Sequence, residues 1–494
     1  MARSLYAMLH RRFGPPQDGV TRREFLKVTL VAGAGLLLSN LDGAAWGKAR
    51  TRAGKRVVVV GAGFAGLATA HELASAGYAV TVVEARNRLG GRVLSFSDVV
   101  KGCNVEGGGE LIGSNHPTWV AYADKFKLPF RDITQEEDAE APLLLDGKRL
   151  SASEAEALWK EMDTVLPVMD AIAATVNADE PWKSRDAAAL DRRSLASWIA
   201  ALDASPLGKA GIAAQLTADN GVIPARQSYL GNLAMVKGGG GDKYWTESEV
   251  YRCAGGNQQL AHKLAEAIGR EHVLFEAPVT AITTGKTTVT VSLASDKTLE
   301  ADDVVLALPP SLWNRIAFEP PLPAMLTPQM APVIKFLTAV KGRFWQTAQL
   351  APNSLSDDLG WTWEATNHQP GDSGACLTVV SSATVADTIR QWPAEERTEK
   401  YLVALARLYP GIREQFVQAR FMDWPSDPWT QAGYSFPAPG QVTTLGPILR
   451  QGLGRLHFAG EHTCCAFVGY MEGALNSGVA LARRIAKRDG VMKS

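Results

Sequence analysis

The residues with the plainest chemical use lie in two short stretches. In "RVVVVGAGFAGLATAHEL", Arg56 to Leu73, the glycines Gly61, Gly63 and Gly66 separate a run of valines from a run rich in alanine and leucine. In such a strand–turn–helix setting the first glycine makes the turn, the second admits a pyrophosphate close to backbone, and the third lets helix and strand pack. The phosphate would rest on unpaired N–H groups at a helix N-terminus. Glu84 ends the next strand, Val80 to Val83, 23 positions after Gly61. A carboxylate there accepts hydrogen bonds from ribose hydroxyls, which favours a dinucleotide lacking a 2′-phosphate. Arg88, Gly90, Gly91, Arg92 and Ser95 follow in an RxGGRxxS arrangement. Its glycines admit a ligand against backbone, and its arginines can meet phosphate. A nicotinamide cofactor has no need of this second clamp, so the cofactor expected is FAD.

The elements that must position these groups belong to an α/β chain. With 494 residues, 46% apolar and 21% charged, the chain exceeds what one core sustains, and two domains are expected. Net charge is zero and no long basic run occurs, which points to small-molecule chemistry rather than to nucleic acid or an anionic membrane surface. Residues Ser151 to Leu207 are alanine-rich with helical periodicity, whereas "GACLTVVSSA" reads as a strand. "VKGGGGDKYW", Val236 to Trp245, reads as a mobile loop or a plain linker. Five cysteines make no disulfide framework, and adjacent Cys464 and Cys465 read as small buried residues in preference to a vicinal disulfide. Eight scattered histidines show no metal spacing, so no metal site is expected.

The first 49 residues are of another kind. "TRREFLKVTLVAGAGLLLSNL" sets Arg22 and Arg23 before an apolar run, Val28 to Leu38, that is short for a bilayer span. This resembles a twin-arginine export signal. It implies the export machinery as a partner, export in folded form, and a periplasmic or secreted location. Several small residues allow several cleavage frames, and an uncleaved anchor stays open.

From the glycine turn onward the chain resembles the flavin amine oxidase superfamily, which includes monoamine oxidases, polyamine oxidases and L-amino acid oxidases. "VEGGGELIGSNHP" is similar to the segment beside the isoalloxazine ring and carries Gly108 and Gly109. "CAGGNQQLAHKLAEAI", "APVTAI" around Val279, "ADDVVLALPP" and "RLHFAGEHTCCAFVGYMEGALNSGVALARRI" follow in the family's order. The resemblance implies a Rossmann-like, doubly wound FAD-binding domain built from residues 54–117, 250–310 and 446–484. An inserted α+β substrate domain would comprise residues 118–249 and 311–445. Val279 would meet the adenine side, Glu461 and Thr463 the ribityl and pyrophosphate region, and Met471 the flavin ring.

The chemistry so implied moves a hydride equivalent from the amine-bearing carbon to flavin N5, leaving an imine that water hydrolyses to a carbonyl and ammonia. The protein then has to position a neutral amine and exclude water. Tyr470, in the GYMEGA segment, and Tyr434, in "WTQAGYSFPAPG", correspond to an aromatic pair flanking that amine. Lys335 falls where the family places a lysine that reaches N5 through water. A charge among apolar neighbours is costly, and stabilising the reaction of reduced flavin with oxygen would justify it. Gly433 stands where covalent monoamine oxidases carry a cysteine, which implies noncovalent FAD. Glu110 and Leu111 stand where venom L-amino acid oxidases carry an arginine for the substrate carboxylate, so Arg226 or Arg252 would have to replace it. Glu110 would instead meet a second positive charge of a diamine, lysine or arginine, or bond backbone near the flavin.

The expected activity is oxidation of a primary amine or L-amino acid with oxygen reduced to hydrogen peroxide. Alternatives are a polyamine or diamine oxidase, a dehydrogenase passing electrons to a cytochrome or quinone, and a flavin-binding scaffold without turnover. A homodimer is compatible with all of these.

Overall fold

The computed structural model describes residues 4–15, 54–134, 139–371 and 374–492. Arg22, Arg23 and the apolar run that follows them lie outside the described residues.

The valines of Arg56–Val60 are β-branched and buried on both faces, as a central parallel strand requires. This strand pairs in parallel with Ala79–Val83 on one side and Asp303–Leu306 on the other. Val273–Leu274 and Leu456–Phe458 complete a five-stranded parallel sheet. One sheet thus draws its strands from stretches that lie far apart in the chain. Helix Phe64–Ser75 packs on it against Met471–Arg488. A Cβ on Gly478 would press on the Ala65 carbonyl and the Thr69 amide, so these two helices meet at backbone contact.

In a second sheet of seven strands, Val333–Val340 lies next to the edge strand Phe416–Asp423 and pairs antiparallel with it and with Ala375–Ser382. Every residue of Val333–Val340 is buried, Lys335 included. Against this sheet lies a helical layer that includes Ala152–Ala173, whose start is fixed by a capping box between Ser151 and Glu154.

The glycine-rich stretch Val236 to Trp245 is not the loop expected. It ends one helix, Tyr229–Gly238, and begins another, Asp242–Glu247. Gly240 and Gly241 turn the chain at φ of 92° and 68°, values that glycine adopts without strain. Burial of Tyr244 and Trp245 anchors the second helix and overrides the low helix propensity of the glycines. Cys464 and Cys465 carry free thiols, and burial raises the titration of both, that of Cys465 to about 12.

One element has no counterpart in the sequence expectations. Helix Leu5–Phe13 precedes the two arginines and packs on helix Ala152–Ala173. Its Tyr6 hydroxyl donates to Asp163 at 2.7 Å, and Leu5, Met8 and Leu9 are buried. Among the described residues, no helix is long and apolar enough to cross a membrane.

Candidate active site

A cavity of about 310 Å³ opens at the carboxyl ends of the parallel strands and reaches the seven-stranded sheet. Open α/β sheets bind ligands at that edge. Gly61, Gly63, Glu84, Gly90, Gly91, Arg92, Gly108, Gly109, Val279 and Met471 all line it.

The glycines are required by close approach. Gly61 has φ 108°, and a Cβ there would strike the Ala307 carbonyl. A Cβ on Gly108 would overlap the Arg92 carbonyl, and one on Gly109 would overlap the Met471 side chain. Glu84 is buried, and its two oxygens accept from the amides of Ala62 at 2.8 Å and Arg86 at 2.9 Å. Each oxygen keeps a second lone pair, so the carboxylate can brace the turn and still receive ribose hydroxyls. A glycine-lined cradle with a carboxylate at its strand end fits the adenosine and pyrophosphate of FAD.

Three residues expected at the cofactor do not line the cavity, among them Thr463, whose hydroxyl donates to the Gly460 carbonyl at 2.9 Å. A Cβ on Gly66 would collide with the Gly61 carbonyl, so this glycine serves helix–strand packing. Arg88 donates to the carbonyls of Leu89 and Gly91, so its guanidinium holds the second glycine turn rather than pointing at phosphate.

Tyr434 and Tyr470 both line the cavity. Glu461 fastens them: its carboxylate accepts from the Ser435 hydroxyl at 2.6 Å and the Gly469 amide at 2.9 Å, groups one residue from each tyrosine. Arg92 donates to Glu461 and to the Gly433 carbonyl, both at 2.8 Å. Burial pushes the Glu461 carboxyl up, but Arg92 foremost among its neighbours outweighs this and holds it below its ordinary range. Burial raises both tyrosines well above their ordinary titration, which keeps the phenols neutral.

Lys335 lies on the same wall, and its ammonium donates to the carbonyls of Glu106 at 2.9 Å and Gly108 at 3.1 Å and to Glu110 at 2.8 Å. These acceptors match its three hydrogens. Lys335 therefore meets the glycine segment beside the flavin place directly, and the water-bridged contact expected for it has no hydrogen left in this arrangement. Glu110 is likewise committed: it receives Lys335 on one oxygen, and Arg252 at 2.8 Å and the Trp363 indole at 2.9 Å on the other. Its side chain is 2% exposed. Burial alone would raise its carboxyl, yet Lys335 and Arg252 hold it at about 2. The second positive charge that Glu110 meets is the chain's own, which corrects its expected place as a substrate anchor. Arg252 also donates to Asn367 and to the Glu364 carbonyl, and Arg226 is exposed; neither lines the cavity.

Sequence reasoning missed Asn257, which donates to the carbonyls of Gly109 and Glu110 and so holds the glycine segment. It also missed Asp219 and Glu249, which line the cavity. The Asn in "CAGGNQQL" was a legible polar exception in a turn; nothing in the helix end "TADNG" marked Asp219.

Glu106 lies beneath the same segment, and burial raises its carboxyl to about 7 in spite of bonds from Asn257 and Ser95. A folded titration above the unfolded value of about 4.3 makes the stabilising contribution complete below that value, and it is lost as pH rises through about 7. The melting temperature is expected to fall between pH 5 and 8, and less steeply in Glu106→Gln. Parallel profiles of the two proteins would contradict this.

The profile of the family described as flavin containing amine oxidoreductase matches residues 64–486, and that of pyridine nucleotide-disulphide oxidoreductase matches residues 14–102. A putrescine oxidase of Kocuria rosea is 28% identical over 459 residues, covering 87% of this chain and 94% of that protein. An L-amino acid dehydrogenase of Synechocystis sp. is 26% identical over 450 residues, with the same two coverages of 87% and 94%. Among solved structures, the cyclohexylamine oxidase of Brevibacterium oxydans superposes with a TM-score of 0.78 at 27% identity, over 88% of this chain and 99% of that one.

Proposed function

We propose, for a chain that belongs to the flavin containing amine oxidoreductase family and oxidises amines through FAD, that the substrate is a primary amine without a carboxylate and that the acceptor is oxygen. The observation that carries this is the charge pattern of the cavity wall. Its cations Arg86, Arg92, Arg315 and Lys335 are each bonded to the chain's own acceptors. Arg86, Arg92 and Lys335 are ion-paired with Asp427, Glu461 and Glu110, so a substrate carboxylate, which calls for a cationic partner, would compete with carboxylates already in place. A putrescine oxidase and a cyclohexylamine oxidase among the relatives agree with this, beside the L-amino acid dehydrogenase.

FAD, when bound, supplies the two-electron acceptor that takes a hydride equivalent from the amine-bearing carbon and returns the electrons to oxygen. The chain's residues position and shield. Tyr434 and Tyr470, neutral and braced through Glu461, flank the amine and present ring faces to its nitrogen. The apolar side chains of Val333, Trp361, Val380 and Val468 on the wall exclude water. Lys335 holds positive charge against the Gly108 segment, where it favours the anionic character that reduced flavin and oxygen acquire. Cofactor attachment is noncovalent: Gly433 offers no thiol, and a Cβ there would overlap the Val333 side chain.

Export in folded form on Arg22 and Arg23, to the periplasm or beyond, completes the proposal, with a homodimer compatible with it. The oxidase reading is tested by oxygen uptake with a primary amine: one peroxide is expected per amine consumed. Turnover only with an added electron acceptor would mark a dehydrogenase instead.

A further inference from the structure

The substrate end of the cavity holds acidic groups that neither the flavin nor the tyrosine pair accounts for. Asp219 sits in the last turn of helix Pro206–Asn220, which Gly221 closes at φ 75°. The Tyr434 hydroxyl donates to the Ala218 carbonyl at 3.3 Å, which places Asp219 next to the aromatic pair. Asp219 and Glu249 both line the cavity. Asp219 Oδ2 is sealed from solvent and has no hydrogen-bond partner among the described residues. The arginines and Lys335 of the wall are bonded to other groups, as described above. Burial first, then Glu249, push the Asp219 carboxyl well above its ordinary titration. A carboxylate oxygen sealed from water without a partner is costly, and a cation delivered to it removes that cost.

We propose that Asp219 anchors a second cation of the substrate, so that the preferred substrate is a diamine whose far ammonium meets Asp219 while its near amine lies between Tyr434 and Tyr470. The proposal rests on the amine oxidase reading and narrows it. It moves to Asp219 the role that the sequence offered for Glu110. A basic amino acid would bring the same far cation with a carboxylate that the wall does not hold, so the two sources are separable.

The flavin-loaded full chain is mixed anaerobically with 1,4-diaminobutane, 1,5-diaminopentane, butylamine, pentylamine and L-lysine, and the rate of flavin bleaching is followed against concentration. Each diamine is expected to exceed the monoamine of equal length at least about tenfold in rate over apparent Kd, in line with one charged contact. In Asp219→Asn that ratio is expected to fall toward one, with the loss in apparent Kd for the diamine. A ratio near one in the wild type, or an unchanged ratio in the variant, overturns the subsite while leaving amine oxidation standing. L-Lysine preferred over 1,5-diaminopentane also overturns it. Bleaching by none of these compounds overturns the amine reading itself. The wild-type ratio decides the matter even where the variant does not fold.

Discussion

Glu110→Ala is expected to lose roughly 3–5 kcal/mol of stability, the usual cost of breaking a buried ion pair from one side. The carboxylate sits between Lys335 and Arg252, all three side chains being 5% exposed or less. Removing it leaves two cations buried together, and their mutual repulsion adds to their desolvation. It also leaves the Trp363 indole without its acceptor. Glu110→Gln keeps the volume and an acceptor but not the charge, and should fall between alanine and the wild type. The expected result is a lower denaturation midpoint in that order and a purified alanine variant depleted of flavin, because Gly108 and Gly109 lie on the same segment. A loss under about 1 kcal/mol, typical of exposed pairs, would contradict the account of this cluster.

Lys335→Met is expected to slow reoxidation of the reduced flavin roughly 10²–10³-fold, the scale seen when one preorganised electrostatic partner is removed from a developing anion. Reduction by the amine should change far less, since that half-reaction depends on the tyrosine pair. Methionine retains the apolar stem and removes the charge held against the Gly108 carbonyl. Stopped-flow mixing measures the two half-reactions separately. Equal slowing of both would show that Lys335 matters only through the shape of the glycine segment.

Much of this was legible in the residues. The glycine spacing and Glu84 marked a dinucleotide cradle because the backbone geometry there admits few other residue types, and the order of the later motifs placed Tyr434, Tyr470 and Lys335 on one cavity. What was not legible is the partner of each charge. Glu110 looked available to a substrate because Arg252 lies 142 positions away and Lys335 lies 225 away, distances that no local pattern bridges. Arg88 looked like a phosphate ligand for a different reason: its motif suits phosphate, yet its guanidinium bonds the carbonyls of Leu89 and Gly91 in its own turn. The glycine run before Tyr244 read as a loop on composition, and the burial of two aromatic rings decided otherwise. Asp219 gave no signal, because its meaning comes from a place in space, on the cavity wall with an oxygen that no described residue bonds.

Passage of electrons from an amine to oxygen through FAD in this cavity is tested by anaerobic mixing of the purified yellow protein with primary amines. Loss of the oxidised flavin band with a saturating dependence on amine is expected, and its return with peroxide when air is admitted. An oxidised band that persists with every amine tried would contradict it.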